Sequence, residues 1–202
     1  MANGAAVVFA SGFIRPSNDQ NGPAFCLFAA LPNGNGVEFP AEVTASARLQ
    51  VIHNAADPAA AVVDIYLDGA ILLDNFAFRE ATPYIDAPAG TPINIGVAPG
   101  TSTSAADTLK NFQLTLADGE TYVAIANCVL NPAAFEANPD ARETAFGLFI
   151  KAAAREAGSG GNVEFFALHG STDAPTVDVV ARGVATLVDN AAYGDITGYI
   201  PV

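Results

Sequence analysis

The feature that most constrains the fold of this chain is an internal repeat. The stretch LQVIHNAADPAAAVVDIYLDGAILLDNFAFREATPYIDAPAG at 49–90 returns, diverged, as FFALHGSTDAPTVDVVARGVATLVDNAAYGDITGYIPV at 165–202. The two histidines in these stretches, His53 and His169, stand 116 residues apart. Self-similarity at a fixed spacing indicates copies of one structural unit, so both stretches are expected to form the same elements.

The N-terminal part of the chain belongs to the same repeat. AVVFA at 6–10 aligns with YVAIA at 122–126, again at a spacing of 116 residues. AFCLF at 24–28 then aligns with AFGLF at 145–149, after a loop that differs by five residues. The repeat is therefore cut out of phase, with its last strands at the start of the chain and its first strands at the end.

This phase predicts three domains. Residues 1–44 are expected to be the C-terminal strands of a partial unit, residues 45–157 a complete unit, and residues 158–202 the N-terminal strands of another partial unit. The stretch 31–46, with several Gly and Pro residues, and the Gly-rich stretch 158–162 are the expected joints.

Local patterns predict an all-β fold, because the segments are short, rich in β-branched residues and bounded by turn-forming residues. Val63, Ile65 and Leu67 alternate with polar side chains, as in a strand with one face in a core. Asp68-Gly69 predicts a tight hairpin turn. Helical composition is confined to two short segments, 132–143 and 151–157. The expected strands of the complete unit suit a two-sheet sandwich; they lie at 47–53, 61–67, 70–75, 81–87, 91–97, 110–116, 121–128 and 145–151.

Composition and charge exclude some classes of function. Hydrophobic residues make up 51% of the chain, which is enough for a packed core, and the net charge is −13. Such an acidic surface repels phosphate backbones and anionic lipids, so binding to nucleic acid or to a membrane surface is not predicted. Membrane insertion is not predicted either, because no apolar run reaches the roughly 18 residues of a membrane span. The N-terminus lacks the basic region of a signal peptide, so the residues alone leave the compartment open.

Two sets of residues carry a resemblance to a known family. In the central repeat they are His53, Asp57, Asp64, Tyr66, Asp68, Gly69, Tyr84 and Pro88-Ala89-Gly90. In the last repeat they are His169, Asp173, Asp178, Gly183 and Tyr199, with Val180 and Arg182 standing where Tyr66 and Asp68 would be. On these residues the chain resembles the bacterial extracellular family catalogued as domain of unknown function 4397.

The resemblance implies both a fold and a location. Members of that family look like Ig-type sandwiches on secreted and cell-surface proteins, often in tandem. We therefore expect Ig-like antiparallel β-sandwich repeats, one complete unit plus two partial units, in an extracellular or cell-surface protein. The family has no general assigned activity, so the resemblance implies no reaction.

The repeated histidines are candidates for catalysis. His53 is followed four residues later by Asp57, and His169 by Asp173, so each histidine could be a base held by a carboxylate. The alternative is a partly buried imidazole that is hydrogen-bonded into the turn. We favour the structural role because both units keep the pair without a partnered nucleophile. Since no known catalytic motif occurs either, we predict that the protein is not an enzyme.

Three aspartates are weak candidates for a metal site. Asp57, Asp64 and Asp68 could supply the oxygen ligands that calcium prefers. In the last repeat, however, Arg182 replaces Asp68 and puts a cation where a ligand would be needed. Turn-capping aspartates are the favoured interpretation. No cofactor is predicted, and calcium binding confined to the central unit stays open.

The repeated tyrosines and the two cysteines have structural and functional interpretations. Tyr84 and Tyr199 are expected to brace a corner of the sandwich; a platform for stacking sugars is the alternative. Cys26 and Cys128 are expected to be small apolar core residues, and a bridge between them would need their strands side by side.

The out-of-phase ends suggest the function. Half a sandwich exposes unpaired backbone groups and an open apolar face. The end fragments could complete each other within one chain or between successive chains, giving a head-to-tail fibre by strand addition. We therefore predict a structural module that self-associates or serves as a spacer among neighbouring repeats. The alternative is an extracellular module that binds glycan or calcium.

Overall fold

The computed structural model describes residues 5–39, 45–159, 161 and 163–202 of the chain. It divides into two compact units, Met1–Thr44 and Ala45–Val202. The described residues contain strands and four short 3₁₀ turns but no α-helix, so the prediction of an all-β fold is confirmed. Among these residues no helix has the length and apolar character needed to cross a bilayer. Residues 40–44, 160 and 162, within the two expected joints, lie outside the described part.

The first unit is a three-stranded antiparallel sheet. Its strands are β1 (Val7–Ser11), β2 (Cys26–Ala30) and β3 (Gly36–Phe39), in the order β1-β2-β3. A 3₁₀ turn at Pro16–Asn18 lies in the loop between β1 and β2. Every residue of β1 is exposed. This unit therefore leaves apolar side chains in contact with solvent.

The second unit contains two four-stranded sheets. Their strands are β4 (Ser46–His53), β5 (Val62–Leu67), β6 (Ala70–Ala77), β7 (Ile85–Pro88), β8 (Pro92–Pro99), β9 (Lys110–Thr115), β10 (Thr121–Asn127) and β11 (Gly147–Lys151). One sheet has the order β11-β10-β4-β7 and the other the order β6-β5-β8-β9.

One hydrophobic core is built from both sheets. Leu49 and Ala124 belong to it from the first sheet, and Val63, Ile65 and Ile93 from the second. The alternation predicted for β5 is confirmed, since Val63 and Ile65 are buried in this core and Leu67 packs against it. Burial of apolar area of this kind is the main stabilising contribution to such a fold.

One strand pair departs from the expected antiparallel arrangement. β4 and β10 are parallel, with Ala124 opposite Val51 and Ile125 opposite Ile52. Parallel neighbours cannot be joined by a tight turn, and here the whole second sheet lies between β4 and β10 in the sequence. All other strand pairs of the described sheets are antiparallel.

The C-terminal segment, residues 163–202, forms two further strand pairs. β12 (Glu164–Phe165) pairs with β15 (Ile200–Pro201), and β13 (Val177–Ala181) pairs with β14 (Ala185–Ala191). Phe166 and Leu168 pack against a second cluster that includes Val123 and Ile125 of β10. Because Ala124 of the same strand lies in the main core, this segment covers the opposite face of the β11-β10-β4-β7 sheet.

Local sequence patterns predict most of the strands, but they overestimate the length of one strand and the helical content of two segments. The expected strand 81–87 is shorter, since β7 begins at Ile85 and Ala81 makes only an isolated bridge to Ile52. The segments of helical composition contain no α-helix; the first holds only a 3₁₀ turn at Pro132–Ala134. A helical segment of so few residues is marginal without an apolar face to pack.

Candidate functional site: a repeated histidine and aspartate framework

His53 lies at the end of β4 and is almost completely buried. Its Nε2 atom lies 2.7 Å from the carbonyl oxygen of Ala60, and its Nδ1 atom accepts the amide N–H of Ala55 at 3.3 Å. This pattern fixes the neutral tautomer with the proton on Nε2. Burial lowers the pKa of His53, although the bond to Ala60 and the charge of Glu80 act in the opposite direction. Burial therefore favours the neutral imidazole, and the hydrogen bonds to the turn that follows β4 fix its orientation.

Asp57 does not hold His53. One carboxylate oxygen accepts the amide of Ala59 at 2.9 Å and caps the 3₁₀ turn at Pro58–Ala60. The other accepts the amide of Leu130 at 2.8 Å. A carboxylate that accepts backbone N–H groups at a turn stabilises that turn. Asp57 thus ties the turn after β4 to the chain that follows β10.

Asp64 is buried, with 1% of its surface exposed. Its carboxylate accepts the Asn75 amide at 2.8 Å and the Ser102 hydroxyl at 2.5 Å, and the Tyr66 hydroxyl lies 2.9 Å from the same serine oxygen. Burial acts to raise the pKa of Asp64, but the hydrogen bonds from Ser102 and Asn75 outweigh it and the pKa is lowered. Asn75 has φ of 56°, at a register shift in the β5–β6 pair, so Asp64 holds an irregular strand in place.

Asp68 and Gly69 form the predicted hairpin turn between β5 and β6. Both have positive φ, 48° and 85°, as a tight two-residue turn requires. The Asp68 carboxylate also accepts the amide of Asn94 on β8 at 2.8 Å. In the corresponding turn of the last repeat, Gly183 has positive φ but Arg182 does not, which agrees with the reluctance of a long side chain to adopt that conformation.

The three aspartates therefore make separate contacts. Asp57, Asp64 and Asp68 each accept backbone amides from a different part of the second unit. In the part of the chain that the structure describes, no group of three or more His, Cys, Asp or Glu residues is arranged to hold a metal ion. What the aspartates do in this geometry is cap turns and bulges.

The last repeat reproduces much of this framework. His169 Nε2 lies 2.9 Å from the carbonyl oxygen of Pro175, the counterpart of the bond from His53. Asp178 accepts the amide of Asn190 at 2.7 Å, and Asn190 has φ of 52°. Asp173, in contrast, is exposed. The histidine and the bulge aspartate thus play the same part in both stretches.

A repeated threonine that the sequence patterns did not single out completes the framework. Thr82 Oγ1 accepts the amide of Val51 at 3.0 Å, and Thr197 Oγ1 accepts the amide of Ala167 at 2.9 Å. Each threonine also donates its own amide to the carbonyl of the same strand residue, both at 2.9 Å. Each stands two residues before the repeated tyrosine, and that spacing is the signal that would have revealed it.

The repeated tyrosines converge on one segment. The Tyr84 hydroxyl donates to the carbonyl of Arg155 at 3.4 Å, and the Tyr199 hydroxyl accepts the Arg155 amide at 2.7 Å. Burial, followed by the neighbouring Tyr199, raises the pKa of Tyr84. The Arg155 guanidinium lies 4.7 Å from the Tyr199 ring centre, and the Lys151 ammonium 5.6 Å. Both tyrosines therefore connect strands to the chain that follows β11.

A buried polar cluster anchors the C-terminal segment. The Tyr193 hydroxyl donates to Cys128 Sγ at 2.7 Å and accepts from Asn127 Nδ2 at 3.4 Å. Asn127 in turn accepts from Asn54 Nδ2 at 3.0 Å. Burial raises the pKa of both Tyr193 and Cys128. Cys128 is buried and Cys26 is half-buried. Both are free thiols, so the structure contains no disulfide between them.

The β1–β2 hairpin reproduces β10 and β11. Phe9 lies opposite Phe28 in the first pair, as Ile125 lies opposite Phe149 in the second. The isolated parallel bridge after each first strand also recurs, Phe13 with Ala24 and Val129 with Ala145. The residues before the bridges, Gly12 and Cys128, have φ of 85° and 81°. Even the 3₁₀ turns, Pro16–Asn18 and Pro132–Ala134, begin at the 116-residue spacing.

Both stretches that resemble parts of the central repeat expose apolar surface. In β1, Val8 is 57% exposed, whereas its counterpart Ala124 is buried in the main core. In β13, Val179 is 37% exposed, whereas its counterpart Ile65 is 4% exposed.

A cavity of about 320 Å³ opens beside Val179 and is lined by Ala167, Val177 and Ala191 among others. In the central unit the residues at the same three positions, in the same order, are Val51, Val63 and Phe76, and all three lie in the main core.

Comparison with known proteins gives one family. No curated protein matches the chain at a significant level. The family described as Domain of unknown function (DUF4397) matches residues 47–145, from the second residue of β4 to the bridge before β11. The match confirms the resemblance drawn from His53, Asp57, Asp64 and the residues around them. Residues 47–145 of this chain therefore form a domain of the DUF4397 family.

Proposed function

We propose that this protein is a non-enzymatic structural module that associates with copies of itself. In this proposal the chain consists of one complete Ig-like β-sandwich unit and two partial units, and it works at the cell surface or outside the cell. The single observation that supports it most strongly is that the two partial copies expose the apolar residues whose counterparts are buried in the central unit. Exposed apolar surface of this kind is typical of an interaction site.

The repeated hydrogen bonds support the division into units. The His–carbonyl, Asp–amide and Thr–amide bonds of the central stretch recur in the last repeat. The strand register and the bridge of β10 and β11 recur in the β1–β2 hairpin. Because register depends on both the hydrophobic pattern and the turn geometry, such agreement favours copies of one sandwich.

The geometry of the candidate catalytic residues supports a structural role. His53 bonds a carbonyl and an amide of its own turn, and Asp57 accepts two amides elsewhere. A base activated by a carboxylate would need a hydrogen bond between the two side chains. The proposal therefore assigns both residues to stabilising the turn after β4.

Light scattering coupled to size-exclusion chromatography tests self-association of the full chain. We expect a mass above that of the monomer, rising with concentration. Val8→Lys should shift the mass towards the monomer, because a charge on the exposed strand opposes pairing. Val184→Lys is the matched control: Val184 is 84% exposed in the turn between β13 and β14, and its substitution should leave the mass unchanged. A wild-type mass equal to the monomer at every concentration would favour a spacer instead.

Glycan binding is a second candidate function. An open groove of about 510 Å³ lies beside Asp64 and is lined by Asp74 and by the hydroxyl side chains of Ser102, Thr103 and Ser104. Carboxylates and hydroxyls are suitable partners for sugar hydroxyls.

A glycan array probed with wild-type protein and with Asp74→Ala tests glycan binding at this groove. Binding that the substitution abolishes would support a glycan site here. A calcium titration followed by thermal melting tests the ion in the same way, since bound calcium would raise the melting midpoint.

A further inference from the structure

The edge of β1 that does not face β2 is an exposed strand edge. Its counterpart in the central unit, β10, uses both edges: it pairs with β11 on one side and with β4 on the other. β1 pairs with β2 alone among the described residues. Its residues are uncharged and exposed, so no charge opposes the approach of another strand.

A matching edge lies in the C-terminal segment. Residues 165–169 are the counterpart of 49–53 in β4, and their partner β15 is the counterpart of β7. The edge of β4 away from β7 is occupied by β10. Among the described residues no strand pairs with the corresponding edge of β12, and an open cavity lined by Ala167, Val177 and Val179 lies beside this segment.

We propose that the β1 edge of one molecule pairs in parallel with residues 165–169 of a second copy of this chain, in the register that β10 and β4 use. This inference rests on the proposed function and names its interface. The register follows from the pairs Val123–Gln50, Ala124–Val51 and Ile125–Ile52. It places Val7 opposite Phe166, Val8 opposite Ala167 and Phe9 opposite Leu168.

The two faces of the added hairpin have suitable surroundings. Val8 and Leu27 correspond to Ala124 and Leu148, which face the main core, so they point into the cavity beside Ala167. Phe9 and Phe28, whose rings stack at 6.0 Å, point to the other face. There Phe166 and Leu168 already pack against the cluster around Ile125, so the added aromatic rings extend an existing apolar layer.

Each molecule carries both edges, so the contact is heterologous and propagates head to tail. Among the described residues β13 and β14, the counterparts of β5 and β6, pair only with each other. This difference makes the interface weaker than the interior of the central unit, where β5 pairs with both β6 and β8.

A register-specific cross-link tests the proposal on the full chain. In a Cys26→Ser background, one chain carries Val8→Cys and a second carries Ala167→Cys; the two are mixed and treated with dibromobimane, a short thiol cross-linker. Cys128 stays in place because it is buried, and the background chain alone is the blank. We expect a cross-linked dimer of the two chains on a denaturing gel, and a ladder when one chain carries both substitutions.

The matched control moves one cysteine by a single residue. Val7→Cys with Ala167→Cys should cross-link several-fold less, because a one-residue shift turns the side chain to the opposite face. Equal yields for the two pairs would overturn the register. A cross-link that forms only within a chain carrying both cysteines, and not between mixed single-cysteine chains, would overturn the choice of a second copy. No cross-link in a sample that light scattering shows to be associated would overturn this interface while leaving self-association standing.

Discussion

At the scale of single residues, the histidines and aspartates that attract attention in the sequence are parts of turns. His53 is neutral and bonded on both ring nitrogens to its own turn. Asp57 and Asp64, which are both buried, each accept a backbone amide in a partly buried hydrogen bond. These backbone hydrogen bonds support the structural role proposed for the repeated residues.

Acidification should destabilise the protein through His53. A histidine in the unfolded chain has a pKa of 6.5, and that of folded His53 is lower. Below about pH 6.5 the unfolded state binds a proton that the folded state resists, so this contribution to stability is complete above that pH and is lost as the pH falls towards the lower value. Thermal melting between about pH 7.5 and about pH 5.5 should show a falling midpoint.

Substitution of each histidine separates this effect from other titrating groups. His53→Gln should flatten the change of midpoint over that pH range, whereas His169→Gln should keep most of it. The carboxyl groups with lowered pKa, Asp64, Asp107, Glu156 and Glu164, titrate below this range. An unchanged slope in His53→Gln would contradict the assignment.

Loss of the Asp64 carboxylate should cost more than loss of its counterpart. Asp64→Ala leaves the Asn75 amide and the Ser102 hydroxyl without their acceptor, and an unsatisfied buried polar group costs about 1–3 kcal/mol. Asp178→Ala removes one bond at an exposed site and should cost less. Chemical denaturation of both variants measures the difference, and equal losses would show that Asp64 does not hold the bulge.

At the scale of elements, local sequence patterns account for the strands but not for their partners. The alternation in β5 and the Asp68-Gly69 turn are local, and the structure confirms both. The parallel pairing of β4 with β10 joins residues more than 70 positions apart, and no local pattern encodes it. The same holds for the hydrogen bond between Tyr193 and Cys128, which are 65 residues apart.

The Tyr193 hydroxyl should control how firmly the C-terminal segment is held. Tyr193→Phe keeps the ring but removes the partner of Cys128 and Asn127, so hydrogen exchange in residues 163–202 should become faster. Tyr122→Phe is the matched control, because its hydroxyl accepts the amide of Ala117, an exposed residue outside the C-terminal segment. It should leave exchange in that segment unchanged, and a similar change in both variants would argue against an anchoring role.

At the scale of the whole molecule, net charge opposes self-association and exposed apolar surface favours it. Each chain carries a net charge of −13, so copies repel one another at low ionic strength. The β1 and 165–169 edges themselves hold no acidic residue. Because salt screens charges beyond roughly 10 Å at about 0.1 M, association should strengthen as salt is added, and dynamic light scattering over a salt series measures this. Association that weakens with salt would indicate an interface held by ion pairs.

Sedimentation velocity of the full chain across a dilution series at moderate salt tests the central claim most directly. The account predicts that the sedimentation coefficient rises with concentration through a series of species, because each molecule offers one β1 edge and one 165–169 edge. Val8→Lys should suppress the series, and Val184→Lys should not. A single species with the mass of one chain at every concentration would contradict the account.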